Sequence, residues 1–456
     1  MVNIFAKQAW LADGWHKNVR IGLKNGHIDG ITHGTSAQVG DICVDTLLPA
    51  LANLHSHTFQ RAMAGMSEQK VADKDSFWTW RRLMYKFLEH ITPQHYEAIA
   101  ALSFMEMQEA GYASVGEFHY VHHQHNGVRY ANIAELSDRV MAAAATTGIG
   151  LTHLPVLYSY GGVKRAALSG GQMRFGNDVE QFANLVEQAN QGLKHLADDA
   201  KIGIAPHSLR ATSPEILNEI LSLCNASRIH MHIAEQPKEV REVKAWLGAR
   251  PVEWLLDNYD INANWCLIHA THMTEQETLN LAKTGAIVGL CPITEANLGD
   301  GIFNGAQYLN AGGRFGIGSD SNIRISMIEE LRTLEYSQRL RDLGRNILAD
   351  ERGSVGATIY NQAAIGGAQA LNRKAGKIAV GYLADLISIN SDDVQLVGLQ
   401  TNQIFDGLCF AATDRVVKNV WSAGRHMVQD GQHILKSEIS KNYVAAMQNL
   451  MNKINA

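Results

Sequence analysis

The chain has 456 residues, 46% hydrophobic and 19% charged, with a formal net charge of −5 and no long block of one sign. That composition is globular, with chain enough for a large core and a smaller module, and it excludes an electrostatic footprint for nucleic acid or an anionic membrane surface. Five scattered cysteines, Cys43, Cys224, Cys266, Cys291 and Cys409, form no C-x-x-C pair, which points to a reduced, cytoplasmic setting.

The opening "MVNIFAKQAWLADG" lacks a basic stretch followed by an apolar one, so no signal peptide is expected, and no apolar run reaches the length of a membrane span. Residues 1–47 read as short strands, with a hairpin at Asn25-Gly26 inside "VRIGLKNGHIDGI". Next comes "DTLLPALANLHSH", read as one buried strand that carries His55 and His57 on a shared face at its C-terminal end. Two neutral imidazoles side by side suit a metal such as zinc, although an isolated H-x-H is more often a hydrogen-bonded pair, so partners are needed elsewhere.

After His57 a long connection, residues 61–92, carries aromatic residues in "FWTWRRLMYKFL" and is a candidate lid or pocket wall. It could equally be a surface helix that packs Trp78, Tyr85 and Phe87 onto the body. Strand-like runs then alternate with helix-like segments: "ASVGEFHYV", "GIGLTHLPVL", "KIGIAPHSL", "RIHMHIAE", "NWCLIHATH", "AIVGLCPIT" and "RFGIGSDSN". The intervening helices include "RYANIAELSDRVMAAAATTG", "SPEILNEILSLCNA" and "TEQETLNLAKTG". Eight strand–helix units suggest a closed parallel barrel over 48–375, with an open doubly wound sheet still possible; the absence of a G-x-G-x-x-G after the first strand weakens a dinucleotide reading. The tail, 376–456, offers strands in "GYLADLISIN" and "VVKNVWSAGRHMVQDGQHIL", then a terminal helix, so a small β module from both chain ends is expected.

The strand ends carry the chemistry, because the active site of such a barrel lies at the C-terminal ends of its strands. Strand one ends in His55 and His57, strand four in His207 with Arg210 beyond, and strand five in His230 and His232 with Glu235 beyond. Strand six ends in His269, with His272 beyond, and strand eight in "GSDSN", which places Asp320. His55, His57, His232 and Asp320 are assigned as metal ligands. His230 is the alternative on strand five, but it lies farther from the mouth and reads as a buried layer residue. His119, His122, His123 and His125 form a rival cluster whose spacing fits a mostly solvent-facing loop; His27 and His426 belong to the end modules. A metal-acidified water needs proton carriers in reach, and Glu235, His269 and Asp320 are the candidates, an arrangement that suits hydrolysis of a C–N bond. Glu235 on its own could also be a helix-start carboxylate ahead of "QPKEVREV".

Taken together, "LPALANLHSH", "HMHIAE", "CLIHATH", "GIGSDSN" and "GKIAVGYLADLISIN" resemble the amidohydrolase superfamily. The resemblance implies a distorted (β/α)8 TIM-like barrel and a small β-sandwich formed from both termini. It also implies a single zinc ion per subunit, since "IAPHSLRA" ends strand four with His207 and no lysine; iron could also be held. Within the superfamily, "NLHSHTFQRAMAGMSE", "GEFHYVHH" and "CPITEANLGDGIF" are similar to the formimidoylglutamate deiminases of histidine degradation. That resemblance implies an anionic small-molecule substrate, N-formimino-L-glutamate, held by Gln60, Arg81, Tyr120, His207 and Arg210, in a cytoplasmic homodimer. Arg82 competes with Arg81, and only one of two adjacent helical residues is expected to face a pocket. The alternative is another zinc deaminase or hydrolase acting on a guanine-like or triazine-like ring. One departure is Pro49-Ala50 where the superfamily usually has Pro-Gly. Another is that Cys291-Pro292 leads to Ile293-Thr294-Glu295, where other deaminases of the superfamily often have an Asn soon after the Cys-Pro, which argues against a nucleobase substrate.

Overall fold

The structure is a computed structural model and describes residues 2–68, 70, 77–224, 227–351 and 353–455, with only the backbone described for 77–79. The chain opens with β1 (Val2–Leu11), β2 (Gly14–Lys24), β3 (His27–Thr32) and β4 (Ile42–Pro49). Then come β5 (Leu51–Ser56), β6 (Tyr112–His119), β7 (Gly150–Leu157), the short β8 (Lys201–Ile202) and β9 (Ala205–Pro206), and β10 (Ile229–Ile233). β11 (Trp265–His269), β12 (Ile287–Leu290) and β13 (Arg314–Ile317) complete the central set, and β14 (Leu386–Ile389), β15 (Val417–Ser422), β16 (Arg425–Gln429) and β17 (Gln432–His433) follow.

The central strands form a (β/α)8 barrel. β5, β6, β7 and β8 pair in parallel, as do β10, β11, β12 and β13. Two single bridges close the ring, Ile204 with Ile229 on one side and Ser56 with Asp320 on the other. The fourth strand is broken into β8 and β9, both paired with β7, and this interruption distorts the barrel. Helices cover the outside, each with local cause. In "TEQETLNLAKTG", for example, the Thr274 hydroxyl accepts from the Glu277 N–H while the Glu277 carboxylate accepts from the Thr274 N–H, so the helix Glu275–Ala282 starts at that box. In "RYANIAELSDRVMAAAATTG" the helix begins only at Glu135, later than the sequence pattern suggests.

The strands of the two chain ends form one eight-stranded sheet in the order β17-β16-β15-β14-β4-β1-β2-β3. Its expected hairpins are present: Asn25 and Gly26 take φ of 49° and 80°, and Asp430 and Gly431 take 50° and 79°, the mirror-image turn conformation that matches strand twist. The sheet has its own core, with Ile4, Ile21, Val44, Leu47, Leu386 and Trp421 buried together. The terminal helix spans Lys436–Asn455.

One expectation is corrected here. "DTLLPALANLHSH" is two strands, because Pro49 ends β4 inside the terminal sheet and the Ala50 N–H turns away to the Asp385 carbonyl before β5 enters the barrel. β4 therefore runs across residue 47, where the sequence suggests a boundary between modules.

The barrel is plugged beneath its mouth. Ala52, Leu54, Cys266, Ile268, Ile287 and Cys291 pack with Ala370 and Leu371. Leu54 lies so close to β13 that a Cβ on Gly316 would collide with it. Gly318, just past β13, passes against β5, where a Cβ would come within 2.7 Å of the His55 carbonyl oxygen. The mouth above this plug holds the polar residues.

Candidate metal centre and active site

His55 lies in β5 and His57 one residue past it, His232 in β10, and Asp320 three residues past β13. All four are buried, and one donor atom from each lies within 4.8 Å of every other. The Asp320 Oδ1 is 3.4 Å from His55 Nε2 and 3.2 Å from His57 Nε2, and the two Nε2 atoms of His55 and His232 are 3.1 Å apart. His230, the alternative on β10, lies outside this group and faces the Ala370 carbonyl with its Nε2 at 2.9 Å.

The donor set fits a cation. A carbonyl only accepts, so the Nδ1–H of His57 donates to the Phe118 carbonyl (2.9 Å) and that of His232 to the His207 carbonyl (3.2 Å). Both Nε2 atoms therefore present lone pairs to the same small space, alongside a carboxylate. Burial opposes relief by protonation: it lowers the pKa of His55 to about 3 and holds His232 well below its usual value. Separations of 3.1–3.4 Å are the ligand–ligand spacing produced by bonds of about 2.0–2.2 Å to one ion.

The backbone around these ligands is unusual. His269 (φ 69°), Ala270 (47°), Asp320 (46°) and Asn322 (54°) lie in the left-handed region, and each such residue costs on the order of 1–3 kcal/mol unless its surroundings hold it. The surroundings of Asp320 do so. Asn53 is hydrogen-bonded to Ser319 through both its side-chain atoms, Ser319 donates to Asn322, and Asn322 donates to the Ser56 hydroxyl.

Glu235, His269, Gln60, Arg81, Tyr120, His207 and Arg210 all line one cavity of about 580 Å³ that includes His57, His232 and Asp320. That is the size of a small-molecule pocket. The His269 Nε2 is 3.9 Å from both Glu235 Oε1 and Asp320 Oδ2, and its ring stacks on that of His232, centroids 5.6 Å apart. Burial disfavours a charge on the His269 ring, while the carboxylates of Glu235, Glu295 and Asp320 around it raise its pKa. Glu235 is 6% exposed and directed into the cavity, so the helix-start reading does not describe it.

The basic end of the cavity is distinct. Arg210 is 3.8 Å from Glu235 and 3.9 Å from Glu239, and its Nε has no hydrogen-bond partner among the described residues. Arg81 donates to the Tyr158 hydroxyl at 3.1 Å, as does Gln172. Arg82 is exposed, as expected of the residue beside a pocket-facing one. Gln60 donates to the Tyr120 hydroxyl at 2.6 Å. His207, beside Tyr158 at a ring distance of 4.6 Å, is held neutral by burial and by Arg210.

The segment 61–92 splits into its two readings. Arg81, Met84 and Trp80 of the helix Phe77–Leu88 form cavity wall, and Phe87 is buried in the core. The side chain of Trp78 lies outside those described. The rival histidines are corrected: His119, His122 and His123 are buried and only His125 is exposed. His119 sits on the outer face of β6, under the helices, where burial rather than solvent surrounds it.

Sequence reasoning missed several residues. Tyr158 orients Arg81; Glu239 accepts from the Glu235 N–H at 3.1 Å; Glu117 accepts from both the N–H and the hydroxyl of Thr58 beside His57. Asp300 accepts from Gln236, and burial together with Glu235 raises its pKa well above the carboxylate range. Glu117, Glu239 and Asp300 lie within stretches that the sequence singles out, but their contacts are legible only once the strands are placed.

A sequence model of the amidohydrolase family matches residues 46–427. The chain belongs to that family. A second model, described as formimidoylglutamate deiminase HutF, N-terminal domain, matches residues 1–43 of this amidohydrolase. It is 44% identical over 454 residues to a formimidoylglutamate deiminase of Pseudomonas aeruginosa, covering 99% of this chain and 100% of the relative. It is 26% identical over 397 residues to a 5-methylthioadenosine/S-adenosylhomocysteine deaminase of Bacillus cereus, covering 85% and 82%. Among solved structures, an amidohydrolase of Brucella melitensis superposes with a TM-score of 0.95 at 46% identity, covering 99% of this chain and all of that one. An adenosine deaminase of Xanthomonas campestris with bound zinc superposes with a TM-score of 0.81 at 20% identity, covering 100% and 98%, a likeness of fold.

Proposed function

We propose that this amidohydrolase hydrolyses N-formimino-L-glutamate to N-formyl-L-glutamate and ammonia in histidine degradation, using one zinc ion held by His55, His57, His232 and Asp320. The observation that carries the substrate is the basic end of the cavity. Two arginines, Arg81 and Arg210, line the same cavity as His57, His232 and Asp320. Arginine forks match carboxylates, and two of them in one cavity suit a substrate that carries two acids. A substrate with two carboxylates and an amidine-like head places both acids there and the reacting carbon at the metal. The ring-type alternative asks for stacking walls, and aromatic walls exist, but the Tyr120 and Tyr158 hydroxyls are committed to Gln60, Arg81 and Gln172.

When bound, the ion supplies an acidified water and a Lewis acid. The protein supplies the rest. Arg81 and Arg210 bind the carboxylates, with Gln60, Tyr120 and His207 completing the polar wall. Asp320 and His269 take the proton of the attacking water. Glu235, 3.9 Å from His269, passes a proton to the departing nitrogen. Water adds to the formimino carbon, the C–N bond to the terminal nitrogen breaks, and that nitrogen leaves as ammonia. The same reading places the protein in the cytoplasm as a homodimer with no nucleic-acid or membrane partner. None of the described helices is long and apolar enough to cross a membrane.

The test is ammonia release from N-formimino-L-glutamate by the purified, metal-loaded protein, with chelated protein as control. Metal-dependent release with N-formyl-L-glutamate as the second product is expected. Absence of release from loaded protein would overturn the reading.

A further inference from the structure

A second group of donors stands behind the first. Atoms of His269, Cys291 and Glu295, all buried, lie within 4.8 Å of one another. The hydrogen bonds show what the group does. One carboxylate oxygen, Glu295 Oε1, accepts from the backbone N–H of Cys291 at 2.9 Å, and the same oxygen faces His269 Nδ1 at 3.1 Å. The amide can only donate, so Oε1 is acting as an acceptor, and the imidazole nitrogen opposite it carries a hydrogen. That leaves Nε2 as the nitrogen turned to the cavity, between Glu235 and Asp320.

His269 needs such an anchor. Its φ of 69° and the 47° of Ala270 place the end of β11 in a conformation that L-residues rarely adopt, and the ring must still point into the mouth. Glu295 is well placed to hold it. Its carboxylate is pinned to the Cys291 backbone at the end of the neighbouring strand, β12, and its side chain is 7% exposed. It does not line the cavity, so it touches neither substrate nor reacting atoms.

We propose that Glu295 is a positioning residue for the deimination: it keeps Nδ1 of His269 protonated and its Nε2 aimed at the attacking water. This rests on the function proposed above. The hydrogen bond already uses the Nδ1 atom, so the group serves the first metal centre and does not form a second one.

The test uses the full chain, loaded with metal, as wild type, Glu295→Gln, Glu295→Leu and His269→Asn. With ¹⁵N-labelled histidine, the resonance missing in His269→Asn identifies His269, and its Nδ1 is expected to be protonated in the wild type. Glu295→Gln keeps an acceptor oxygen and is expected to retain that resonance and most of kcat. Glu295→Leu is expected to lose the resonance and about 10²-fold in kcat, the scale of a misplaced proton carrier, with KM changed by less than about two-fold and metal content unchanged. A bare Nδ1 in the wild type overturns the proposal, and that measurement needs no variant of Glu295 to fold. Equal impairment of Gln and Leu variants, or loss of a second equivalent of metal with Glu295→Leu, also overturns it. If wild type releases no ammonia, the functional reading fails, while the resonance still decides the geometry.

Discussion

The backbone N–H of Asp320 donates to the carbonyl of His55 at 2.9 Å, and the carbonyl of Asp320 accepts from the N–H of His57 at the same distance. The last barrel strand is thus joined to the first at the residues proposed to hold the ion, so closing the barrel and bringing those side chains together are one event. Gly318 permits it, since a Cβ there would stand 2.8 Å from the His55 nitrogen and 2.9 Å from its Cβ. Gly318→Ala is expected to push the strands apart, destabilise the fold by about 1–3 kcal/mol and sharply lower metal content. Metal analysis beside a denaturation curve checks it; full metal content in the variant would mean that the close approach is not required.

Glu235 stands apart from the ligands yet faces the cavity. Glu235→Gln preserves size and changes only the ability to carry a proton. Metal content is expected to stay whole while turnover falls by about 10²–10⁴-fold, the usual contribution of a general acid or base. Normal turnover in this variant would remove Glu235 from the proton path.

Arg81 and Arg210 make separate predictions from Arg82. A charged hydrogen bond is worth about 1.5–3 kcal/mol, which corresponds to a loss of roughly ten- to a hundred-fold in kcat/KM for Arg210→Met or Arg81→Met. Arg82→Met, on the exposed side of the same helix, should change nothing measurable. Steady-state kinetics on N-formimino-L-glutamate decide this, and equal kinetics for all three variants would leave the basic end of the cavity without a task.

The candidate ligand group was legible because its members sit at strand ends and strand ends carry motifs: "HSH", "HMH" and "GSDSN" single out His55, His57, His232 and Asp320 without any contact information, and the fold brings their donor atoms within 4.8 Å of one another. The split of the first strand was hidden, since an apolar run across Pro49 reads the same whether it crosses one sheet or two. The buried histidines of "EFHYVHHQH" were hidden for a related reason. A polar cluster in one dimension suggests solvent, and only the covering helices show that His119 and His122 are enclosed. Glu295 and Tyr158 hydrogen-bond to His269 and Arg81, far away in sequence, and spacing carries no sign of that.

Those enclosed histidines set a pH dependence for the fold. Burial lowers His122 and His153 to about 3, and His119, whose ring lies 5.3 and 5.2 Å from theirs, well below 6.5. In the unfolded chain each returns to about 6.5. Below that value the unfolded state binds more protons than the folded one, so stability falls as pH drops from about 6.5 toward 3. Between pH 6.5 and 5 each such group costs on the order of 2 kcal/mol. Denaturation midpoints are expected to fall steeply over that interval, and less steeply in His153→Leu, whose wild-type ring nitrogens have no partner among the described residues. An unchanged slope in the variant would show that this ring is not the one resisting protonation.

The barrel and the terminal sheet are joined by a buried ion cluster. Arg373, with a fully buried side chain, donates to Asp385 and Asp199, and Arg425 of β16 donates to Asp199 as well. Asp385 also accepts from the Ala423 N–H. Asp199 precedes β8 of the barrel, whereas Asp385 immediately precedes β14 and Arg425 lies in β16 of the terminal sheet, so Arg373 holds the two modules through paired charges. Removing one member of such a group leaves the others buried and uncompensated, which costs about 3–5 kcal/mol. Arg373→Met is expected to lose stability on that scale, while kcat and metal content of the folded fraction stay at wild-type values because the cluster lies away from the cavity. Chemical denaturation gives the first quantity and active-site-normalised kinetics the second. A variant as stable as wild type would show that packing alone joins the modules, and a fall in normalised kcat would show that the terminal sheet reaches the chemistry.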